Sequence, residues 1–140
     1  MTAPSGAIAK VTLLVEDLDV AITFFTAAMG FVLVEDLELP SSAGAPKRWV
    51  VVAPARGGTA LVLALPTSDA QRAALGRQAG DRVGLFYEVE DFASSYAHME
   101  SASVHFCEEP RDEPYGTVAV FEDCVGNRWD LLGPARGASA

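Results

Sequence analysis

Two stretches of the chain alternate apolar and polar residues, one from Lys10 to Val15 and the other from Val83 to Val89. A period of two residues is typical of a β-strand with one buried face. After each stretch, apolar residues recur every three or four positions, which predicts amphipathic helices over Asp19 to Met29 and Phe92 to Met99. Each half of the chain is therefore predicted to begin with a strand followed by a helix.

The junction between strand and helix is nearly the same in both halves. Val15-Glu16-Asp17-Leu18 returns 74 residues later as Val89-Glu90-Asp91-Phe92. Such a repeat indicates two copies of one supersecondary unit, each too small to bury a core by itself. The copies must therefore pair, and we expect the functional site in the space between them.

Three further strands are predicted after each helix. They cover Phe31 to Leu39, Arg48 to Ala53 and Thr59 to Leu65 in the first half, and Val104 to Glu108, Thr117 to Phe121 and Arg128 to Leu132 in the second. The fold class is thus α+β. The 140 residues are predicted to form a single domain, with module one over about 8–66, a linker over about 67–81 and module two over about 82–134. Residues 40–46 and the tail after Pro134 are predicted to be loops.

Each opening strand has one fully apolar face and one mixed face. The apolar face is expected to lie under the helix, so the mixed face points into the concavity that the two modules share. The mixed faces carry Lys10, Thr12 and Leu14 in module one and Gly84, Phe86 and Glu88 in module two.

The composition and net charge of the chain argue against some classes of binding partner. The formal net charge is −9, from 19 acidic and 10 basic residues, and such a surface repels the phosphate backbone of nucleic acid. No apolar run approaches the roughly 20 residues of a membrane span. Met1 to Gly6 does not resemble a signal peptide, and the two cysteines, Cys107 and Cys124, are too few for a disulfide framework. We therefore expect a cytoplasmic protein that binds neither nucleic acid nor membrane.

The closing segment of the chain carries a family resemblance. Phe121 to Leu131, with its Gly126-Asn127 turn, follows two such modules and resembles the vicinal oxygen chelate superfamily of glyoxalases, bleomycin-resistance proteins and extradiol dioxygenases. The resemblance extends from Ile8 to Pro134, and Glu113-Pro114-Tyr115-Gly116 is similar to the bleomycin-resistance branch. It implies two paired βαβββ modules that form a curved mixed sheet around a cavity, and it implies a homodimer.

The enzymes of that family hold a divalent metal with four side chains, typically His and Glu, from the first and last strands of both modules. The corresponding positions here hold Lys10, Gly84 and Asp130, and the strand from Thr59 to Leu65 contains no histidine or carboxylate. His98 and His105 match none of these positions and are expected to be exposed or partly packed. One ligand in four does not make a metal site, so no metal or other cofactor is predicted.

Several side chains are candidates for binding a ligand instead. Lys10 and Asp130 either anchor a polar ligand or form an ion pair that replaces the metal, and the sequence leaves both open. Glu88 can accept a cationic group or act as a general base, although a solvent-facing acid is the favoured interpretation. Aromatic rings can grip planar or cationic ligands, and arginines can bind carboxylates. The full candidate set is Lys10, Thr12, Trp49, Phe86, Glu88, Tyr115, Arg128 and Asp130. No catalytic residue is identified.

The leading functional interpretation is a metal-independent protein that binds a small organic ligand, cationic or aromatic, similar to the antibiotic-sequestering bleomycin-resistance branch. The alternative is a glyoxalase-like or dioxygenase-like enzyme, that is a lyase, isomerase or oxygenase with an unrecognised metal site or none. A third interpretation is a structural or regulatory protein whose cavity has collapsed around Phe86 and Leu14.

Overall fold

The structure is a computed structural model that describes residues 2–41 and 47–135. The predicted loop over 40–46 and the tail after Pro134 lie largely outside these residues. The elements are β1 (Lys10–Leu14), α1 (Leu18–Thr23, continued by a π-helical turn over Phe24–Ala28), β2 (Val32–Leu39), β3 (Lys47–Ala53), β4 (Ala60–Ala64), α2 (Asp69–Ala74), β5 (Leu85–Glu88), α3 (Phe92–Ser101), β6 (Arg111–Glu113), β7 (Gly116–Glu122) and β8 (Arg128–Gly133). None of the described helices is both long and apolar enough to span a membrane.

The strands form two four-stranded mixed sheets with the same order. Sheet one runs β1-β4-β3-β2 and sheet two runs β5-β8-β7-β6. In each sheet the opening strand pairs in parallel with the closing strand, and the remaining pairs are antiparallel. Each half is therefore a βαβββ module, and the predicted α+β class is confirmed.

The repeated tetrapeptide makes the same two kinds of hydrogen bond in both modules. The Val15 and Val89 amides donate to the closing strands, to Ala64 O at 2.9 Å and Leu132 O at 2.8 Å. Two residues later, the Asp17 and Asp91 carboxylates each accept a hydrogen bond of 3.0 Å from a backbone amide of the first helical turn. The valine thus bonds the end of the opening strand to the closing strand, and the aspartate caps the helix. These two roles explain why the sequence recurs.

One hydrophobic core joins the two modules. The Phe25 ring lies 5.5 Å from Phe31 and 5.8 Å from Trp129 of sheet two, measured between ring centroids. The Tyr87 hydroxyl of sheet two donates to Met29 O at 2.9 Å. The helix-bearing sides of both sheets therefore contribute to the same core, as the pairing argument requires.

The linker covers the free edge of β1. The Gln78 side chain accepts from the Leu14 amide at 2.6 Å and donates to Thr12 O at 3.0 Å. The Gln78 backbone amide donates to the Asn127 side chain at 3.3 Å. The Gln78 side chain thus makes the hydrogen bonds that a neighbouring strand would otherwise make with β1. Through its backbone amide, Gln78 also connects module one to the last turn of module two.

The segment before β7 differs from the prediction. Val104 to Glu108 forms only an isolated bridge between Phe106 and Phe121, and the strand in this region is β6, which was not predicted. β6 and β7 are joined by a tight turn at Pro114 and Tyr115, so Tyr115 sits at a hairpin tip. Gly116 has a φ of +151°, and a Cβ there would lie 2.3 Å from Gly133 O.

A buried aspartate organises the turn between β7 and β8. The Asp123 carboxylate accepts from the amides of Val125 and Asn127, from the Asn127 side chain and from the Trp129 indole, at 2.9–3.1 Å. Four donors to one carboxylate hold the closing segment in a single conformation. This turn sets the positions of Arg128 and Asp130 at the start of β8.

Candidate functional site

Asp130 is a buried carboxylate on the face of sheet two that points away from the core. It lies opposite Phe86 on β5 and Val120 on β7, and it is 9% exposed. Its Oδ1 atom has no hydrogen-bond partner among the residues that the structure describes. Burial raises the pKa of this carboxyl, which nearby Arg111 partly opposes and Glu108 reinforces. The negative charge of the Asp130 carboxylate is therefore only partly balanced by the groups around it.

The charges around Asp130 belong to an arginine-centred network. Arg111 Nε donates to Glu108 Oε1 at 3.0 Å, and its guanidinium also pairs with Glu113. Glu108 Oε2 accepts from the Val120 amide at 2.9 Å, which fixes the network to β7. The Tyr115 hydroxyl, Glu108 and Glu113 together raise the pKa of Arg111.

Lys10 is not part of that network. It is exposed on β1, and among residues 2–41 and 47–135 it forms no ion pair. The suggestion that Lys10 pairs with Asp130 is therefore wrong. The cation near Asp130 is Arg111, because the β6–β7 hairpin brings residues 111 and 118 into register beside β8.

A cavity of about 410 Å³ lies between the two modules, and we call it the seam cavity. It is bounded by β1, the linker and the β7–β8 turn. Thr12 and Arg128, which the sequence analysis proposed as ligand contacts, both line it, together with Gln78, Arg82, Gly84 and Glu122. The seam cavity is thus a space between the repeats with a mixed polar and apolar lining.

A second recess lies at the end of β5, and we call it the aromatic groove. Its two lobes, of about 610 and 400 Å³, share Arg56, Glu88, Val89 and Glu90. Phe86 lines the larger lobe and Tyr115 the smaller one. Both aromatic side chains are strongly exposed, Phe86 at 63% and Tyr115 at 65%. Exposed apolar surface that is rimmed by polar residues is typical of a binding site when it forms a contiguous patch.

The eight proposed ligand residues therefore do not form a single site in the protomer. Phe86, Glu88 and Tyr115 lie in the aromatic groove, and Thr12 and Arg128 lie in the seam cavity. Asp130 is buried on sheet two. Lys10 and Trp49 line none of the cavities described above.

Sequence reasoning missed three features of these surfaces. Arg56 reaches the aromatic groove from the β3–β4 hairpin, and Gln78 lines the seam cavity from the linker. His105, expected to be exposed or partly packed, is exposed and has Cys107 and Glu122 as neighbours. The spacing of His105 and Cys107, two residues apart, was the available signal, but their pairing with β7 was not visible in the sequence.

The comparison with known families agrees with this architecture. The model of the Glyoxalase/Bleomycin resistance protein/Dioxygenase superfamily matches residues 7–131. The chain belongs to this superfamily. It is 43% identical over 126 residues to an uncharacterized protein of Shewanella frigidimarina (strain NCIMB 400), an alignment that covers 89% of this chain and 91% of that protein.

Two solved structures of the superfamily fold are also similar. UcmS2 superimposes with a TM-score of 0.77 at 28% sequence identity, covering 92% of this chain and 98% of that chain. TnmS3, an antibiotic binding protein from Streptomyces sp. CB03234, superimposes with a TM-score of 0.72 at 27% identity and covers 96% of this chain and 100% of that one.

The residues at the superfamily's metal-ligand positions do not fit a divalent metal. Lys10 and Gly84 supply no ligand, and β4 consists of apolar residues only. Asp130 is left as a single oxygen donor, with the Arg111 guanidinium as its neighbouring charge. A metal at this place needs three or more converging donors.

Proposed function

We propose that this protein binds a small cationic aromatic molecule in the aromatic groove without using the superfamily's metal. The observation that carries the proposal is the presence of two exposed aromatic rings, Phe86 and Tyr115, in adjoining lobes that share the carboxylates of Glu88 and Glu90. Flat rings bind planar ligands by stacking and attract cations through their faces.

The charges in the groove favour a cation over an anion. Glu88 and Glu90 face a single positive residue, Arg56, whose guanidinium lies 3.4 Å from Glu90. Both partners of that ion pair are largely exposed, so the pair contributes little to stability and yields readily to a ligand. Glu88 has no ion-pair partner in the described part of the chain and is free to meet the ligand.

The similarity to TnmS3 supports a binding function over catalysis. That protein is an antibiotic binding protein, and sequestration of a drug needs affinity alone. A cytoplasmic location, expected from the two unpaired cysteines, belongs to the same proposal.

The alternative is a metal-free lyase or isomerase, and Asp130 is the observation that favours it. A buried carboxyl with a raised pKa is suited to hold and transfer a proton. The charged groups near it are Arg111 and Glu108, and Glu108 already accepts hydrogen bonds from Arg111 and the Val120 amide, so ligand binding is the better supported function.

The binding proposal predicts that two groove substitutions weaken a planar cationic probe. Tyr115→Ala removes a stacking surface and Glu88→Gln removes a negative charge, so each is expected to raise the Kd of an acridine dye about tenfold. Fluorescence anisotropy measures the Kd, and adding a chelator should leave it unchanged.

The control for this titration is Ile8→Ala, which alters an equally exposed apolar residue outside the groove. It should leave dye affinity unchanged. Equal affinity of all the variants, or dye binding that a chelator abolishes, would contradict the proposal.

We further propose that the protein forms a homodimer through sheet one. β2 is an edge strand and carries a run of exposed apolar side chains, Val32, Leu33, Val34, Leu37 and Leu39. An open apolar edge strand is prone to associate unless another chain covers it.

Sedimentation equilibrium is expected to give the mass of two chains for the native protein and of one chain for Leu37→Asp. Val20→Asp, which places the same charge on an exposed apolar site of α1, should remain dimeric. A monomeric native protein would rule out the dimer.

A further inference from the structure

We propose that His105, Cys107 and Glu122 form a binding site for a zinc-class transition metal, separate from the superfamily's metal position and from the aromatic groove. The imidazole nitrogen, the thiol sulfur and a carboxylate oxygen all lie within 4.8 Å of one another. The three residues come from the segment after α3 and from the end of β7, neither of which supplies a ligand position in the superfamily pattern given above.

Backbone pairing holds these three side chains on one face. The Glu122 amide donates to His105 O at 3.0 Å, and the Cys107 amide donates to Val120 O at 2.8 Å. His105 and Cys107 are two residues apart on an extended segment, so their side chains point to the same side. Glu122 lies directly across from His105, which brings its carboxylate to the same side as well.

The opposite face of this segment is anchored in the core. Phe106, between the two proposed ligands, lies 5.7 Å from Phe121 and 4.3 Å from Tyr96, measured between ring centroids. Phe121 is fully buried. A packed aromatic residue between two ligands fixes the backbone that carries them, so the site is partly organised before a metal arrives.

The donor set indicates the class of metal. Thiolate and imidazole ligands suit zinc, cobalt, nickel or copper, whereas magnesium and calcium prefer oxygen ligands alone. With metal–ligand bonds of about 2.0–2.3 Å, tetrahedral ligand atoms lie roughly 3.3–3.7 Å apart, so adjustment of side-chain torsions is enough to close the site. Three protein ligands leave one position for water.

The three side chains have no competing partners in the described ranges. The hydrogen bonds and ion pairs there leave the His105 ring, the Cys107 thiol and the Glu122 carboxylate unused. Arg128 lies opposite Glu122 on β8, and its charge opposes a cation, while Glu108 favours one. Burial and the two glutamates raise the pKa of the Cys107 thiol, so metal binding must displace its proton.

Cobalt titration of the reduced full-length protein tests the proposal. Cobalt(II) takes the same ligands as zinc, and a thiolate ligand produces a charge-transfer absorption band in the near ultraviolet. We expect one cobalt per chain, with the band abolished in Cys107→Ser and the affinity lowered at least about tenfold. Zinc should displace the cobalt and remove the band.

Matched controls are available within the chain. Cys124→Ser changes the other thiol, which is not part of the cluster, and should leave the titration unchanged. His98→Ala should likewise leave it unchanged, whereas His105→Ala should weaken binding while any residual band persists. Thermal melts of the metal-free variants confirm that each one is folded.

Three outcomes would overturn the site: no saturable cobalt binding, a band that survives Cys107→Ser, or equal losses in Cys107→Ser and Cys124→Ser. The dye titration separates this proposal from the function proposed above. Cys107→Ser should not alter dye affinity, because Cys107 lies outside the aromatic groove.

Discussion

Replacing Phe25 by alanine is expected to lower the free energy of unfolding by about 4 kcal/mol. Phe25 is completely buried and lies within 6 Å of the rings of Phe31 and Trp129, measured between centroids. Its removal leaves a cavity at the junction of the two modules, where the backbone of both sheets limits collapse. The effect should therefore reach both modules and not only the helix that carries Phe25.

Thermal unfolding followed by circular dichroism measures this effect, with a fall in Tm of roughly 15 °C for a chain of this length. Phe86→Ala provides the matched control, because it removes the same type of side chain from a position that is 63% exposed. It should lower the free energy of unfolding by less than about 0.5 kcal/mol. If Phe25→Ala splits the transition into two, the modules unfold separately and the predicted single domain is wrong.

Replacing Asp130 by asparagine is expected to raise the free energy of unfolding at neutral pH by about 1–2 kcal/mol. The carboxylate is buried, one of its oxygens has no hydrogen-bond partner, and its pKa is raised by burial. A neutral amide of the same shape removes the cost of the buried charge. A gain of stability on substitution is typical of a residue kept for function.

The increase in the free energy of unfolding of Asp130→Asn should depend on pH. Because the folded protein raises the pKa of Asp130 above its ordinary value of 3.8, ionising the group costs more in the folded state than in the unfolded one. That penalty is fully present above the folded pKa and is lost as the pH falls through it towards 3.8. The variant should therefore exceed the native protein in stability at neutral pH and match it in acid.

Denaturant titrations over a pH series measure both curves. Asp81→Asn is the control, because the Asp81 side chain is 96% exposed and its ion pair with Arg77 spans 3.7 Å. It should follow the native protein at every pH. A loss of stability in Asp130→Asn at neutral pH would mean that attraction to Arg111 outweighs burial.

The features that the sequence determined are those that depend on neighbouring residues. The period-two strands, the helices and the aspartates that cap them follow from local geometry, so the two-module α+β fold could be predicted. Val15 and Asp17, which recur in the second module, already indicated where the strand ends and where the helix begins. The residue types at the positions that the superfamily resemblance assigns to metal ligands, among them Lys10, Gly84 and Asp130, could also be read directly from the sequence.

The tertiary structure alone decided which distant side chains meet. Arg111, not Lys10, lies near Asp130, because a hairpin that the sequence did not reveal pairs β6 with β7. The same hairpin places Tyr115 at its tip. A separate bridge between Phe106 and Phe121 brings Glu122 across from His105. Residue types and local periods do not specify the register between strands far apart in the chain, since register depends on packing in the folded core.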